Sequence, residues 1–268
     1  MNSTPILKGK SAVVFGAAGS LGAAVAKEFA AEGAEVFLAG RTKSNLEAVA
    51  KQITGRGGRA QTAVVDALDD AAVNEYLDGV VKQAGKIDIA IDLTGPLANE
   101  YGNGKLAVEL TIEEFMAPVE KVVRSHFITA RAAARRMIAQ KSGVIIFVTG
   151  SPVRPHVPGA TAIGAAFAAL ENLTFNLAFE ASPLGVRVVC LRTVANIDSR
   201  SIQDTLDSLA ARMKITKEQA VERVALQNFL KVPATAQDTA NAAVLIASDS
   251  ARMMTGTVVN ASAGAALD

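Results

Sequence analysis

The sequence has one cysteine, Cys190, no tryptophan, two tyrosines and two histidines, and aromatic residues fill only 4% of its 268 positions. A single cysteine excludes an internal disulfide and fits a reducing compartment, so a cytoplasmic protein is expected. Two histidines and one cysteine, without zinc-ligand spacing, give no metal site. Lys and Arg number 27 against 26 Asp and Glu, a net charge of +1 dispersed along the chain. That balance offers no basic face for nucleic acid and no patch for an anionic membrane. No signal peptide is expected from the first ten residues, and no segment reads as a transmembrane span. Fixed-period repeats and low-complexity linkers are lacking too. Because half of the residues are hydrophobic and few are aromatic, Ala, Val, Ile and Leu must build the core.

Against these absences one stretch stands out. A short apolar run at 12–15 stops at Gly16, Gly19 and Gly22, and Leu21, Val25 and Phe29 then follow at helical spacing. Glycines suit a sharp turn that brings backbone close to a pyrophosphate, and the N–H groups of the helix start, through Ser20 and Leu21, suit its charge. A second strand at 35–39 ends where an acidic residue would bind a ribose 2′-hydroxyl. Here the sequence reads Gly40-Arg41-Thr42. A guanidinium in place of a carboxylate favours a 2′-phosphate, so NADP(H) is the expected cofactor.

Strand-like runs at 12–15, 35–39, 60–65, 87–93, 144–148, 186–191 and 257–261 alternate with helical segments. They are apolar on both faces, as in a parallel sheet covered on both sides. The fold class is therefore α/β: a single-domain, doubly wound Rossmann-type parallel sheet of about seven strands. Capping-box spacing marks helix starts at Ser44 with Glu47, Thr111 with Glu114 and Thr216 with Gln219. Two helices are unusual: one at 112–140 is long, and one at 161–181 is apolar nearly all round. The second requires cover, from the sheet or from another subunit. Residues 193–231 are too many for a simple crossover and are expected to form a helical flap over the substrate cleft.

From the glycine turn onward the chain resembles the short-chain dehydrogenase/reductase family. The resemblance rests on Gly16, Gly19 and Gly22, on Val65-Asp66 followed by Ala67, on Asp88-Ile89-Ala90-Ile91 and on Pro158-Gly159. It continues through Leu184-Gly185-Val186-Arg187-Val188 and Ala247-Ser248-Asp249-Ser250-Ala251 to Thr255-Gly256. It implies that Asp66 and Ala67 lie beside the adenine and that Thr94 and Gly95 belong to the nucleotide site. It also implies pairing of helices 112–140 and 161–181 with their copies, in a homodimer or homotetramer.

The family's chemistry uses a tyrosine, a lysine four residues on, a serine thirteen residues before the tyrosine, and an asparagine. Anchored on Pro158-Gly159, the first three positions read Ile163, Phe167 and Gly150, and counting back from Arg131 and Met137 the asparagine position reads Val122. None can handle a proton. Tyr76 and Tyr101 are read as lying well outside this region. The strand-four motif reads Asp92-Leu93-Thr94-Gly95, and the proline-glycine usual after strand six reads Thr193-Val194.

Replacement catalytic groups are few. Ser151, beside Gly150, could orient a carbonyl or merely cap the turn after strand five. His156 in the following loop could act as a general acid or be an exposed loop histidine. Arg192 could hold an anion at the sheet's carboxyl edge, or pair with a neighbour such as Asp198. Asp92 could be an acid or base, or a strand-end cap. His126 is read as structural or interfacial, and Cys190 as core. The expected function is an NADP(H)-binding oxidoreductase with a non-standard proton donor, transferring hydride to a small hydrophobic carbonyl, imine or activated alkene. The alternatives are a non-redox enzyme and a catalytically inactive NADP-binding or scaffold protein on the same fold.

Overall fold

A computed structural model describes residues 5–154 and 159–267. Seven strands form one sheet: β1 (Ser11–Phe15), β2 (Glu35–Gly40), β3 (Arg59–Val64), β4 (Ile89–Asp92), β5 (Val144–Gly150), β6 (Arg187–Thr193) and β7 (Thr257–Asn260). Their order is β3-β2-β1-β4-β5-β6-β7, and each neighbouring pair is parallel. Every carboxyl end therefore faces one edge, and the order reverses between β1 and β4. That reversal opens the crevice in which such sheets bind ligands.

The strands alternate their side chains between two cores. Ala12, Val14, Val36 and Leu38 meet α1 (Ser20–Ala31), α2 (Lys43–Thr54) and α9 (Ala236–Ala247) on one face. Val13, Phe15, Phe37 and Ala39 meet α3 (Asp70–Ala84), α5 (Arg124–Gln140) and the end of α6 (Thr161–Ala181) on the other. Each fully buried Val, Leu, Ile or Phe contributes about 1.5–3 kcal/mol, so these layers and not the sparse aromatics supply the driving force.

The capping boxes of Thr111 with Glu114 and Thr216 with Gln219 form as expected, at α4 (Ile112–Pro118) and α8 (Lys217–Ala225). Ser44 with Glu47 does not: α2 already begins at Lys43, Thr42 is its N-cap, and Glu47 lies 3.7 Å from Lys43 instead. The long segment at 112–140 is a helix interrupted by a π-helical turn at Val119–Val123, directly after Pro118. Proline removes a backbone donor and crowds the preceding turn, which a wider turn relieves. The Val122 carbonyl there accepts a bond from His126 Nδ1 at 2.8 Å and one from Ser125 Oγ at 3.2 Å. His126 is thus buried and stacked on Phe147, structural and not interfacial.

The stretch 193–231 carries two helices, α7 (Arg200–Met213) and α8, packed on each other through Leu206, Ala210 and Ala220. One sequence expectation is corrected. By length and composition Thr161–Leu184 is apolar enough to cross a membrane, with a mean hydropathy of 1.3. Its small and aliphatic residues Ala162, Ala166, Leu170, Ala178 and Ala181 face the fold's interior, where α6 packs on β5 and β6.

Candidate active site

The carboxyl edge gathers every nucleotide-site residue read from the sequence. Gly16 ends β1 at φ +69°, a left-handed conformation that glycine adopts without a steric penalty. A Cβ on Gly16 would lie 2.7 Å from the Leu93 carbonyl carbon and 2.9 Å from the Thr94 nitrogen. The β1 turn can therefore close on the end of β4 only without a side chain. Gly22 is equally constrained, because a Cβ there would run into the Gly16 carbonyl oxygen. The result is a cradle at the start of α1 with Gly19 and Ser20 exposed, the backbone shape that a pyrophosphate requires. Leu21 packs on the core beneath it.

Around this cradle, Arg41 and Thr42 follow β2 and are both exposed. Asp66 follows β3, where its Oδ1 accepts from the Leu68 N–H at 3.0 Å, and Ala67 is buried beside it. At the end of β4, Asp92 acts as a cap: Oδ1 accepts from the Thr94 N–H at 2.8 Å and Oδ2 from Thr129 Oγ1 at 3.1 Å. Thr94 is half-buried and Gly95 open. The first residue of α7 reaches this place as well, the Arg200 N–H donating to Ser20 Oγ at 3.3 Å. Residues that fit a dinucleotide thus line one crevice, with α7 at its rim.

The catalytic positions of the family also meet in space. Val122 and Ile163 belong to one apolar cluster, with Phe167 packed against it. A Cβ on Gly150 would lie 3.0 Å from the Phe167 ring, so the ring uses the room that the glycine leaves. Ser151 opens a short helical turn after β5, where its carbonyl accepts from the Arg154 N–H at 3.0 Å. His156 lies outside the described residues.

Two sequence readings are corrected here. Tyr101 is not remote: it sits in the same cluster as Val122 and Ile163, brought there by the loop after β4. Sequence separation concealed it, although a tyrosine just beyond a strand's carboxyl end was the available signal. Arg192 does not pair with Asp198, whose Oδ1 accepts from the Ala236 N–H. The guanidinium is fully buried and grips Glu171 of α6 in bidentate fashion, Nε to Oε1 at 2.7 Å and Nη2 to Oε2 at 2.9 Å. Thr149 Oγ1 donates to the same carboxylate at 3.3 Å. Glu171 is one helical turn beyond Phe167, so this pair lies next to that cluster and is shielded from solvent. Cys190 is core, as read, and burial pushes its thiol up to about 12.

A parallel sheet with a glycine cradle at its switch point and helices on both faces defines a dinucleotide-binding α/β protein. The short chain dehydrogenase family model matches residues 10–195, and the chain belongs to that family of nicotinamide-dependent oxidoreductases. The chain is 29% identical over 256 residues to short chain aldehyde dehydrogenase 1 of Euphorbia lathyris, covering 93% of this chain and 85% of that one. Among solved structures, a variant of actinorhodin polyketide ketoreductase with NADPH matches with a TM-score of 0.86 at 18% identity, covering 96% and 97% of the two chains. An NAD+-bound xylitol dehydrogenase matches with a TM-score of 0.86 at 21% identity, covering 95% and 98%. These two likenesses speak for the fold alone.

Proposed function

We propose that the protein is an NADP(H)-binding oxidoreductase that acts on a small hydrophobic carbonyl, imine or activated alkene without the family's usual proton relay. The observation that carries the reading is Arg41, an exposed cation directly after β2, where the sequence offers no carboxylate for a ribose 2′-hydroxyl. Gly16, Gly19, Ser20, Leu21 and Gly22 would hold the pyrophosphate. Arg41 and Thr42 would hold the 2′-phosphate, Asp66 and Ala67 the adenine, and Thr94 and Gly95 the adjoining ribose. When bound, the nicotinamide supplies hydride.

The chain's own residues shape the rest. Val122, Ile163 and Phe167 make an apolar floor that binds hydrocarbon and excludes water, but they donate no proton. Substrates that need little assistance at oxygen, such as an iminium or an activated alkene, suit that floor better than a plain ketone. Ser151 and His156, which follow β5 in the sequence, are the candidates to hold or move a proton. Self-association through 112–140 and 161–181 is supported by Phe127, Phe175 and Phe179, all exposed on these helices. An open apolar groove of about 560 Å³ also runs beside Phe175, Phe179 and Pro183.

The test is nucleotide titration followed by a substrate panel. Arg41→Ala is expected to weaken NADPH by about 1.5–3 kcal/mol and leave NADH nearly unchanged. Equal or tighter NADH binding by the wild type would refute the cofactor assignment. NADPH that binds but is consumed by no carbonyl, imine or enone would leave a non-redox or binding protein.

A further inference from the structure

The apolar floor contains one hydroxyl that the family's scheme does not use. Tyr101 is 7% exposed and packs in the cluster of Val122, Ala160 and Ile163. Ser201, in the first turn of α7, is the polar side chain beside its phenol. The loop that carries it is held on both sides. Asn103 Nδ2 donates to Thr205 Oγ1 at 2.8 Å, and the Gly104 N–H donates to the Gly159 carbonyl at 2.9 Å. These bonds fix the phenol between α7 and the start of α6. A phenylalanine would fill the same space, whereas a buried hydroxyl costs free energy unless it keeps a partner.

We propose that Tyr101, with Ser201, is the hydrogen-bonding site for the single carbonyl oxygen of an otherwise apolar ligand in this floor. The inference rests on the reading of Val122, Ile163 and Phe167 as the substrate floor. A phenol both donates and accepts, as does a serine hydroxyl. A ligand carbonyl that accepts from the phenol O–H gives this buried donor a partner, and Ser201 lies beside it to share the contact. Burial raises the phenol above its ordinary value, which keeps it a donor throughout the neutral range. The apolar neighbours of the pair select a ligand with one oxygen and little else that is polar.

The experiment uses the full chain with NADP+, which does not react with a ketone, and compares cyclooctanone with cyclooctane by calorimetric titration. Tyr101→Phe keeps the ring's packing. It is expected to weaken cyclooctanone roughly five- to tenfold and to leave cyclooctane unchanged. Ser201→Ala is expected to retain the preference for cyclooctanone. A pair that only latches α7 to the loop would lose both ligands alike, or neither, and that result overturns the proposal, as does a wild type that binds no cyclooctanone. The chain has two tyrosines and no tryptophan, so in a Tyr76→Phe background tyrosine emission reports Tyr101 alone. Cyclooctanone is expected to change that emission and cyclooctane is not. NADPH consumption is scored separately. Tyr101-dependent ketone binding without turnover sinks the oxidoreductase reading and leaves this one standing. Turnover that Tyr101→Phe alters in neither rate nor binding does the reverse.

Discussion

Beside the cluster of Val122, Ile163 and Phe167, Glu171 and Arg192 form an ion pair that is almost completely withdrawn from water, with 5% and 0% side-chain exposure at 2.7 Å. Removing either partner alone leaves the other's charge buried without its bidentate contact, a loss of about 3–5 kcal/mol, whereas replacing both with well-packed hydrophobic residues of similar volume is often neutral. Glu171→Leu and Arg192→Leu are therefore each expected to destabilise strongly, while the double variant recovers most of the loss. With an unfolding entropy of roughly 2.1 cal/mol/K per residue, this chain's total is on the order of 0.56 kcal/mol/K, so each single variant lowers Tm by roughly 5–9 °C. Urea unfolding followed by circular dichroism gives the same cycle as free energies, provided the m-value is constant. The reasoning is refuted if the two single losses add in the double variant. It is equally refuted if either single loss is below about 1 kcal/mol, the range of an exposed pair.

Two further outcomes follow from the surface. Lys121 holds the Glu100 carboxyl below its ordinary value, so that contribution to stability is complete above about pH 4.5 and fades as pH falls through the depressed value. Glu100→Gln should flatten the decline of the urea midpoint between pH 6 and 3, by a modest amount because the pair is 39% and 37% exposed, and an unchanged slope counts against it. Phe179 is 85% exposed on α6, and Phe179→Glu should lower the mass seen by light scattering if α6 pairs with its copy. A wild type already monomeric at micromolar concentration would end that expectation.

Most of the fold is legible in the sequence and part of the site is not, for physical reasons. The strands lie within two residues of their expected ends, the buried ones because a buried parallel strand is a continuous apolar run; β3, Arg59–Val64 at the sheet edge, has no buried residue and departs from the expectation that the strands are apolar on both faces. Helix 161–181 was read to the residue, since Pro158-Gly159 and Ser182-Pro183 bracket it. Ser44 misled because a capping-box pattern is short enough to occur inside a helix that starts earlier. For Arg192 the reading of an ion pair with an acidic neighbour holds, but Asp198, the example offered, is not that neighbour. The observed partner comes from α6, and its signal was Glu171, an acidic side chain in the middle of an otherwise apolar helix. Tyr101 was set aside for its distance in sequence, yet a loop leaving β4 at the carboxyl edge returns over α6 wherever Gly104 and Gly159 can touch. Those two glycines meet closely enough that a Cβ on Gly159 would strike the Gly104 backbone.

The pattern of substitutions in the cleft has its own logic. A lysine at 167 would place a cation beside Gly150 and one turn from Glu171, competing with Arg192 for the same carboxylate. With phenylalanine there, the guanidinium of Arg192 is bound to Glu171 without such a rival, and the ring fills the space above Gly150. The charge of this region has thus moved below the floor, where it can brace β6 against α6 but cannot reach a reacting oxygen. Any polar assistance must then enter from above, from the loop after β4, from α7 or from the turn after β5. That division, with structure below and polar groups at the rim, is what the proposed reading of Val122, Gly150, Ile163 and Phe167 as the relay positions requires of this chain.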